Sequence, residues 1–137
     1  MKSYTSLEQA KKLAKILPLE SADICYKCIG EDPYDACLRP YSEWKEEYKG
    51  LLVAKEVDVI PCWSLAALLG VLPFHLIVDN QRYEFSMKKG LDKNGETYAI
   101  KYAIFNTTFY FHLTNYYNNP IDACVEMILK LYELKML

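Results

Sequence analysis

Four short stretches in the second half of the chain alternate apolar and polar residues with a period of two. They run at about 75–78, 82–88, 97–105 and 109–114. Period two sends successive side chains to opposite faces of a strand, so each stretch has one face to bury. The connections between them are short. Asp79-Asn80 tolerates positive φ, and Asn94-Gly95 strongly favours a tight turn. Strands joined this briefly pair antiparallel, which predicts a meander.

The alternation also sorts the side chains. Leu76, Tyr83, Phe85, Met87, Ile100, Tyr102, Phe109, Phe111 and Leu113 belong to a strongly apolar set, expected to pack against helices. A one-residue slip would expose all of them. The other set mixes His75, Ile77, Arg82, Glu84, Ser86, Lys88, Ala99, Lys101, Ala103, Phe105, Tyr110 and His112.

Helices flank this sheet. Thr5 with Glu8, or Ser6 with Gln9, offers a capping box. Leu7, Ala10, Leu13, Ala14 and Leu17 then share one face until Pro18. A second helix is expected from about Pro61 to Leu72, with proline in its first turn. Cys62, Trp63, Leu65, Leu68, Leu69 and Leu72 leave it no polar face, so it is expected either buried all round or in an interface. A last helix begins with Asn119 as cap and Pro120 as first helical residue. Ile121, Cys124, Val125, Ile128, Leu131 and Tyr132 are expected to face inward.

Residues 20–59 are less regular. A strand is expected at 22–29, then a loop through Gly30-Glu31-Asp32-Pro33 and Arg39-Pro40. Ser42 caps a short helix with Trp44 and Tyr48 at i,i+4 and Gly50 as its stop, and 51–54 adds a short strand. The expected fold is therefore α+β: an antiparallel four- to five-stranded meander with about three helices on one face. At 137 residues the chain is expected to form one globular domain, 1–137.

Charge narrows the partners. The formal net charge is −2, and phosphate neutralisation dominates nucleic-acid affinity, so nucleic acid is a poor default partner. The N-terminus has no apolar signal region, which implies a cytoplasmic setting in which the five cysteines are thiols. The apolar stretch from Ile60 to Val78 approaches spanning length. Pro61 and Pro73 bracket it, no Lys/Arg cluster flanks it, and the expectation is no membrane.

Two blocks, Ile60-Pro61-Cys62-Trp63-Ser64 through Pro73 and Asn119-Pro120-Ile121-Asp122-Ala123 through Met127, resemble a group of uncharacterised small proteins from gut Bacteroidetes associated with phage or mobile elements. The likeness covers the second and last helices and, loosely, the chain between. It implies a bacterial or phage origin and an intracellular setting. It assigns no activity, and no residue role comes with it.

Cys25-x-x-Cys28 with Cys37 has the spacing of half a zinc site, but no second cysteine pair or His-x-x-x-His completes it, so no metal or cofactor is expected. His75 and His112 alternate onto one sheet face, on opposite edge strands. No phosphate loop or nucleophile elbow occurs, and no catalytic residue is assigned. The expected function is a non-catalytic interaction module, in the setting the resemblance implies one accessory to a phage or mobile element, with an unidentified protein partner. Its site is the mixed sheet face, with Phe105 and Tyr110 as aromatic anchors and Arg82, Glu84, Lys101 and His112 around them. A homodimer through the all-apolar helix is a further option. The alternative is a small enzyme or metal-dependent protein with a site around Cys25, Cys28 and Cys37 or at the sheet-face histidines.

Overall fold

In the computed structural model, which describes residues 2–41, 43 and 57–137, Asp79 and Asn80 take positive φ of 51° and 64°. They close a two-residue hairpin between β4 (His75–Val78) and β5 (Gln81–Asp92). These two residue types tolerate that conformation, and it matches the twist of the flanking strands. The next turn sits one residue earlier than expected. Lys93 and Asn94 form the loop, and Gly95, at φ 116°, opens β6 (Gly95–Ala103). Asp92 Oδ1 accepts the Asn94 N–H at 2.7 Å, an Asx turn that fixes the loop. β7 (Tyr110–Leu113) completes a β4-β5-β6-β7 antiparallel meander.

Across β5 and β6 the pairing follows the alternation: Phe85 lies opposite Tyr102 and Met87 opposite Ile100. Ile100 and Tyr102 are fully buried, and α3 (Pro120–Glu133) packs on β6. The Tyr102 hydroxyl reaches the Pro73 carbonyl at 2.6 Å, which satisfies its one polar atom. In β7 the alternation breaks. Ala103 pairs with Tyr110, but Tyr102 pairs with His112, so Phe111 is an extra residue at a bulge. Phe111 stays near Tyr83, ring centroids 5.9 Å apart. His112 shifts to the face of Tyr102, and Leu113 shifts to that of Lys101. Both expectations for these two residues are reversed by the one added residue. Phe109, expected inside, precedes the strand and is exposed.

The last helix forms as its signals predict. Asn119 accepts the Asp122 N–H at 2.9 Å, Pro120 takes the first position, and Lys2 pairs with Asp122 at 2.7 Å. Ala123 and Met127 are buried along with the expected stripe, whereas Tyr132 is exposed. The C-terminus closes in a Schellman arrangement. Met136 N–H bonds the Leu131 carbonyl at 2.8 Å, Lys135 N–H bonds that of Tyr132 at 3.0 Å, and Lys135 takes φ 60°.

The described residues cluster in two compact units, one of residues 3–68 and the other of 69–137 with Lys2. The first has its own sheet, ordered β2-β1-β3, from β1 (Ile24–Ile29), β2 (Asp35–Cys37) and β3 (Val57–Cys62). Helix α1 (Leu7–Ala14) packs on β3 and uses the Ser6–Gln9 capping box, with bonds of 3.2 and 3.0 Å. Thr5 is buried instead, its hydroxyl accepting the Trp63 N–H at 3.2 Å.

The expected helix from Pro61 is corrected here. Residues 57–62 are a strand, with Pro61 opposite Cys25. Val57 and Val59 are buried and Asp58 is exposed, an alternation the proline obscured. Among the described strands β3 has a single neighbour, where a missing N–H is tolerated. Helix α2 (Leu65–Val71) starts only after Ser64, whose hydroxyl accepts the Ala67 N–H at 3.2 Å. It is not buried all round: Leu68 is buried, while Ala66, Leu69 and Gly70 are exposed. Trp63 is fully buried as the linker between strand and helix, its indole N–H on Ser21 Oγ at 2.9 Å. The helix expected from Ser42 through Trp44 and Tyr48, and the strand at 51–54, lie outside the described residues. No helix among the described residues is long and apolar enough to cross a membrane.

Candidate functional site

The meander places most of the expected site on one face. Directly opposed residues form a row across all four strands: His75, Glu84, Ala103 and Tyr110. The next row is Ser86, Lys101 and Leu113. Arg82 lies two residues before Glu84 on the same face, its Nε 3.5 Å from Glu84 Oε1. Both side chains are well exposed, so this pair contributes orientation more than stability.

These rows flank an open concavity of about 320 Å³. Glu84, Ser86, Lys101, Ala103 and Phe105 line it, with Asn106 and Thr107 of the hairpin loop closing one end. That loop is held by its own bonds. The Thr107 hydroxyl donates to the Ile104 carbonyl at 2.8 Å and accepts the Phe109 N–H at 3.2 Å, and Asn106 takes φ 58°. Phe105 is 73% exposed and Tyr110 55% exposed. Phe105, Glu84 and Lys101 thus meet at one concavity, Arg82 adjoins through Glu84, and Tyr110 flanks Ala103.

Ser86 adds something the alternation alone does not reveal. Its Oγ is shielded from water yet has no hydrogen-bond partner. A hydroxyl left in that state costs on the order of 1–3 kcal/mol, and with no surface open to water it is equally out of reach of a group entering the concavity. The sequence places Ser86 on this face but carries no signal that its hydroxyl is unsatisfied.

His112 belongs elsewhere. The bulge turns it toward α3, where its Nε2 lies 3.6 Å from Glu126 Oε2, beyond hydrogen-bonding distance. Glu126 Oε1 is already engaged, accepting the Tyr117 hydroxyl at 2.7 Å, the Asn115 N–H at 3.1 Å and the Asn115 side-chain amide at 3.0 Å. Burial, then the bond to Glu126, pushes the Tyr117 hydroxyl up from its ordinary value. His112, Asn115, Glu126, Leu129, Lys130 and Glu133 border a second depression of about 350 Å³. His75 remains on the outer face, so the two histidines are on opposite sides of the sheet.

The cysteines separate as well. Cys25 and Cys28 are three residues apart on β1 and therefore point to opposite faces. Cys28 Sγ donates to the Asp32 carbonyl at 2.7 Å. Cys25 is opposite Cys37, beside Val57 and Val59. Burial, then the neighbouring Cys37 thiol, pushes Cys25 up to about 12. Cys62 is buried, with its sulfur 3.3 Å from Thr5 Oγ1, and Cys124 is buried within α3. No three His, Cys, Asp or Glu side chains among the described residues are grouped to hold a metal ion. Compared with known proteins, the chain matches no family model, no curated protein and no solved structure.

Proposed function

We propose that this chain is a non-catalytic binding module that receives a protein partner on the outer face of the β4–β7 sheet. The observation that supports it most is the concavity beside the exposed Phe105, floored by Ala103 and bordered by Glu84 and Lys101. Exposed aromatics beside a small-residue floor are the usual form of an anchor site. Phe105 and Tyr110 supply apolar contact, and Ala103 keeps the floor low. Arg82, Glu84 and Lys101 supply a rim of both signs. The fitting partner carries an apolar or aromatic side chain for the aromatic contact, with charged or polar groups to meet Glu84 and Lys101. A role accessory to a phage or mobile element is the setting that the resemblance of the Ile60–Pro73 and Asn119–Met127 blocks suggests.

The test is selection of binders from a displayed random-peptide library, followed by mapping on isotopically labelled protein. Resonances of 82–86 and 101–110 are expected to move. Phe105→Asp with Tyr110→Ala is expected to abolish binding and leave the fold intact. Binders that map to another surface, or that bind the double variant at wild-type strength, overturn the proposal.

A further inference from the structure

We propose that Cys25 and Cys37 form a reversible thiol–disulfide site, oxidised by low-molecular-weight disulfides of the glutathione type. The two residues are directly opposed in the antiparallel β1–β2 ladder. Opposed residues in such a ladder have Cα atoms about 4.5 or 5.5 Å apart and side chains on the same face. Both separations fall inside the range a disulfide spans, about 4.4–6.8 Å. The other thiols are placed differently. Cys28 points to the opposite face of β1, Cys62 is held against Thr5, and Cys124 is in another unit of the fold.

The two sulfurs have unequal access, and this sets the order of events. Cys25 is fully buried in the cluster with Val57 and Val59, whereas Cys37 is half-buried at the rim of that cluster. The buried thiol meets no solute directly, and burial holds it protonated. Cys37 therefore reacts first. Its thiolate attacks one sulfur of the glutathione disulfide, the S–S bond breaks, and one glutathione leaves as the thiolate, taking up the proton Cys37 released. Cys25 then attacks the Cys37 sulfur of the mixed disulfide. The second glutathione leaves with the Cys25 proton. Two protein thiols are oxidised to one disulfide, and one glutathione disulfide is reduced to two thiols. Proximity replaces access in the second step, because Cys25 needs to reach only its cross-strand neighbour. The link would join β2, only three residues long, covalently to β1.

The experiment uses the full chain, purified under reductant and then exposed to glutathione disulfide. Two of the five thiols are expected to disappear, with a Cys25–Cys37 link found in the non-reducing peptide map and reversed by dithiothreitol. No Lys or Arg stands between Cys28 and Cys37, so the two share a tryptic peptide. Cys28→Ser is expected to keep the link and Cys37→Ser to lose it, while Cys25→Ala is expected to stop at a stable glutathione adduct on Cys37. The proposal is overturned if the wild-type chain keeps all five thiols, stops at a glutathione adduct, or links Cys37 to another cysteine or another chain. A second digestion that cuts before Asp32 and Asp35 separates Cys28 from Cys37, so the wild-type map decides the matter even if a variant fails to fold, and a Cys25–Cys28 link there also overturns the proposal.

Discussion

The Tyr117 hydroxyl bonds Glu126 Oε1 at 2.7 Å, tying the segment after β7 to α3. That segment is already laid against β6, with Tyr117 and Tyr98 exchanging backbone bonds of 2.7 and 2.9 Å. Glu126 thus joins helix to sheet through one oxygen that also takes both Asn115 donors. Hydrogen bonds to a charged acceptor are worth about 1.5–3 kcal/mol. Tyr117→Phe is expected to lower stability by about 1–2 kcal/mol and Glu126→Ala by about 2–3, since the latter strands several donors. A double-mutant cycle by urea denaturation is expected to show coupling of about 1 kcal/mol. Additive effects of the two substitutions would dissolve the link.

Alkaline pH is expected to weaken the fold through its buried thiols. Burial pushes Cys124 up to about 12, and Cys25 is pushed up to about 12 as well. An unfolded cysteine titrates near 8.5. A folded value above the unfolded one means that the stabilisation is intact below about pH 8.5 and is lost as pH rises toward 12. The urea midpoint, measured under reductant, is expected to hold to about pH 8 and then fall. Cys124→Ala removes one titrating proton, so the decline should become shallower by up to about 1.4 kcal/mol per pH unit. An unchanged slope in that variant would show that Cys124 ionises in the folded chain as it does in the unfolded one.

Trp63 fills the corner between β3 and α2 with no exposed surface. Trp63→Ala is expected to destabilise by about 3–5 kcal/mol through lost burial and the cavity left behind. Trp63→Phe keeps much of the volume but leaves Ser21 Oγ without the indole donor. A smaller loss, about 1–2 kcal/mol, is expected there. A wild-type denaturation midpoint for Trp63→Ala would remove this corner from the core.

Lys135 stands in a left-handed conformation at the end of α3, where glycine is the residue without a steric penalty. Lys135→Gly is expected to raise stability by about 0.5–1 kcal/mol. Because the side chain is exposed, little packing is lost in exchange. A melting point unchanged or lowered by the substitution would argue that the helix end frays.

Legibility in the sequence followed the reach of the signals. Asp79-Asn80, the Ser6–Gln9 box and Asn119-Pro120 are local devices, and each acts where its residues stand. Pro61 carried a local signal too, but a proline opens helices and also sits in outer strands, and only pairing with Cys25 decides between them. The Val57-Asp58-Val59 alternation before it pointed to the strand. The bulge at Phe111 had no such marker, because no glycine or turn pair announces an added residue between β6 and β7. That one residue moved His112 away from the face shared by Arg82, Glu84, Lys101, Phe105 and Tyr110. Ser86 was legible as a position, while the burial of its hydroxyl oxygen was not.

The same bulge gives the β6–β7 hairpin a tolerance for added length. Beyond it, Thr114 and Tyr117 are bonded to Ile100 and Tyr98, pairings that the core beneath α3 depends on. Before it, the loop from Ile104 to Phe109 is exposed along most of its length. Adding one residue on the loop side can be absorbed by enlarging the bulge, with Thr114 and Tyr117 left in place. Variation in the loop that carries Phe105 is thereby uncoupled from the buried half of the sheet, which leaves the rim of the concavity free to be reshaped without refolding what lies under it.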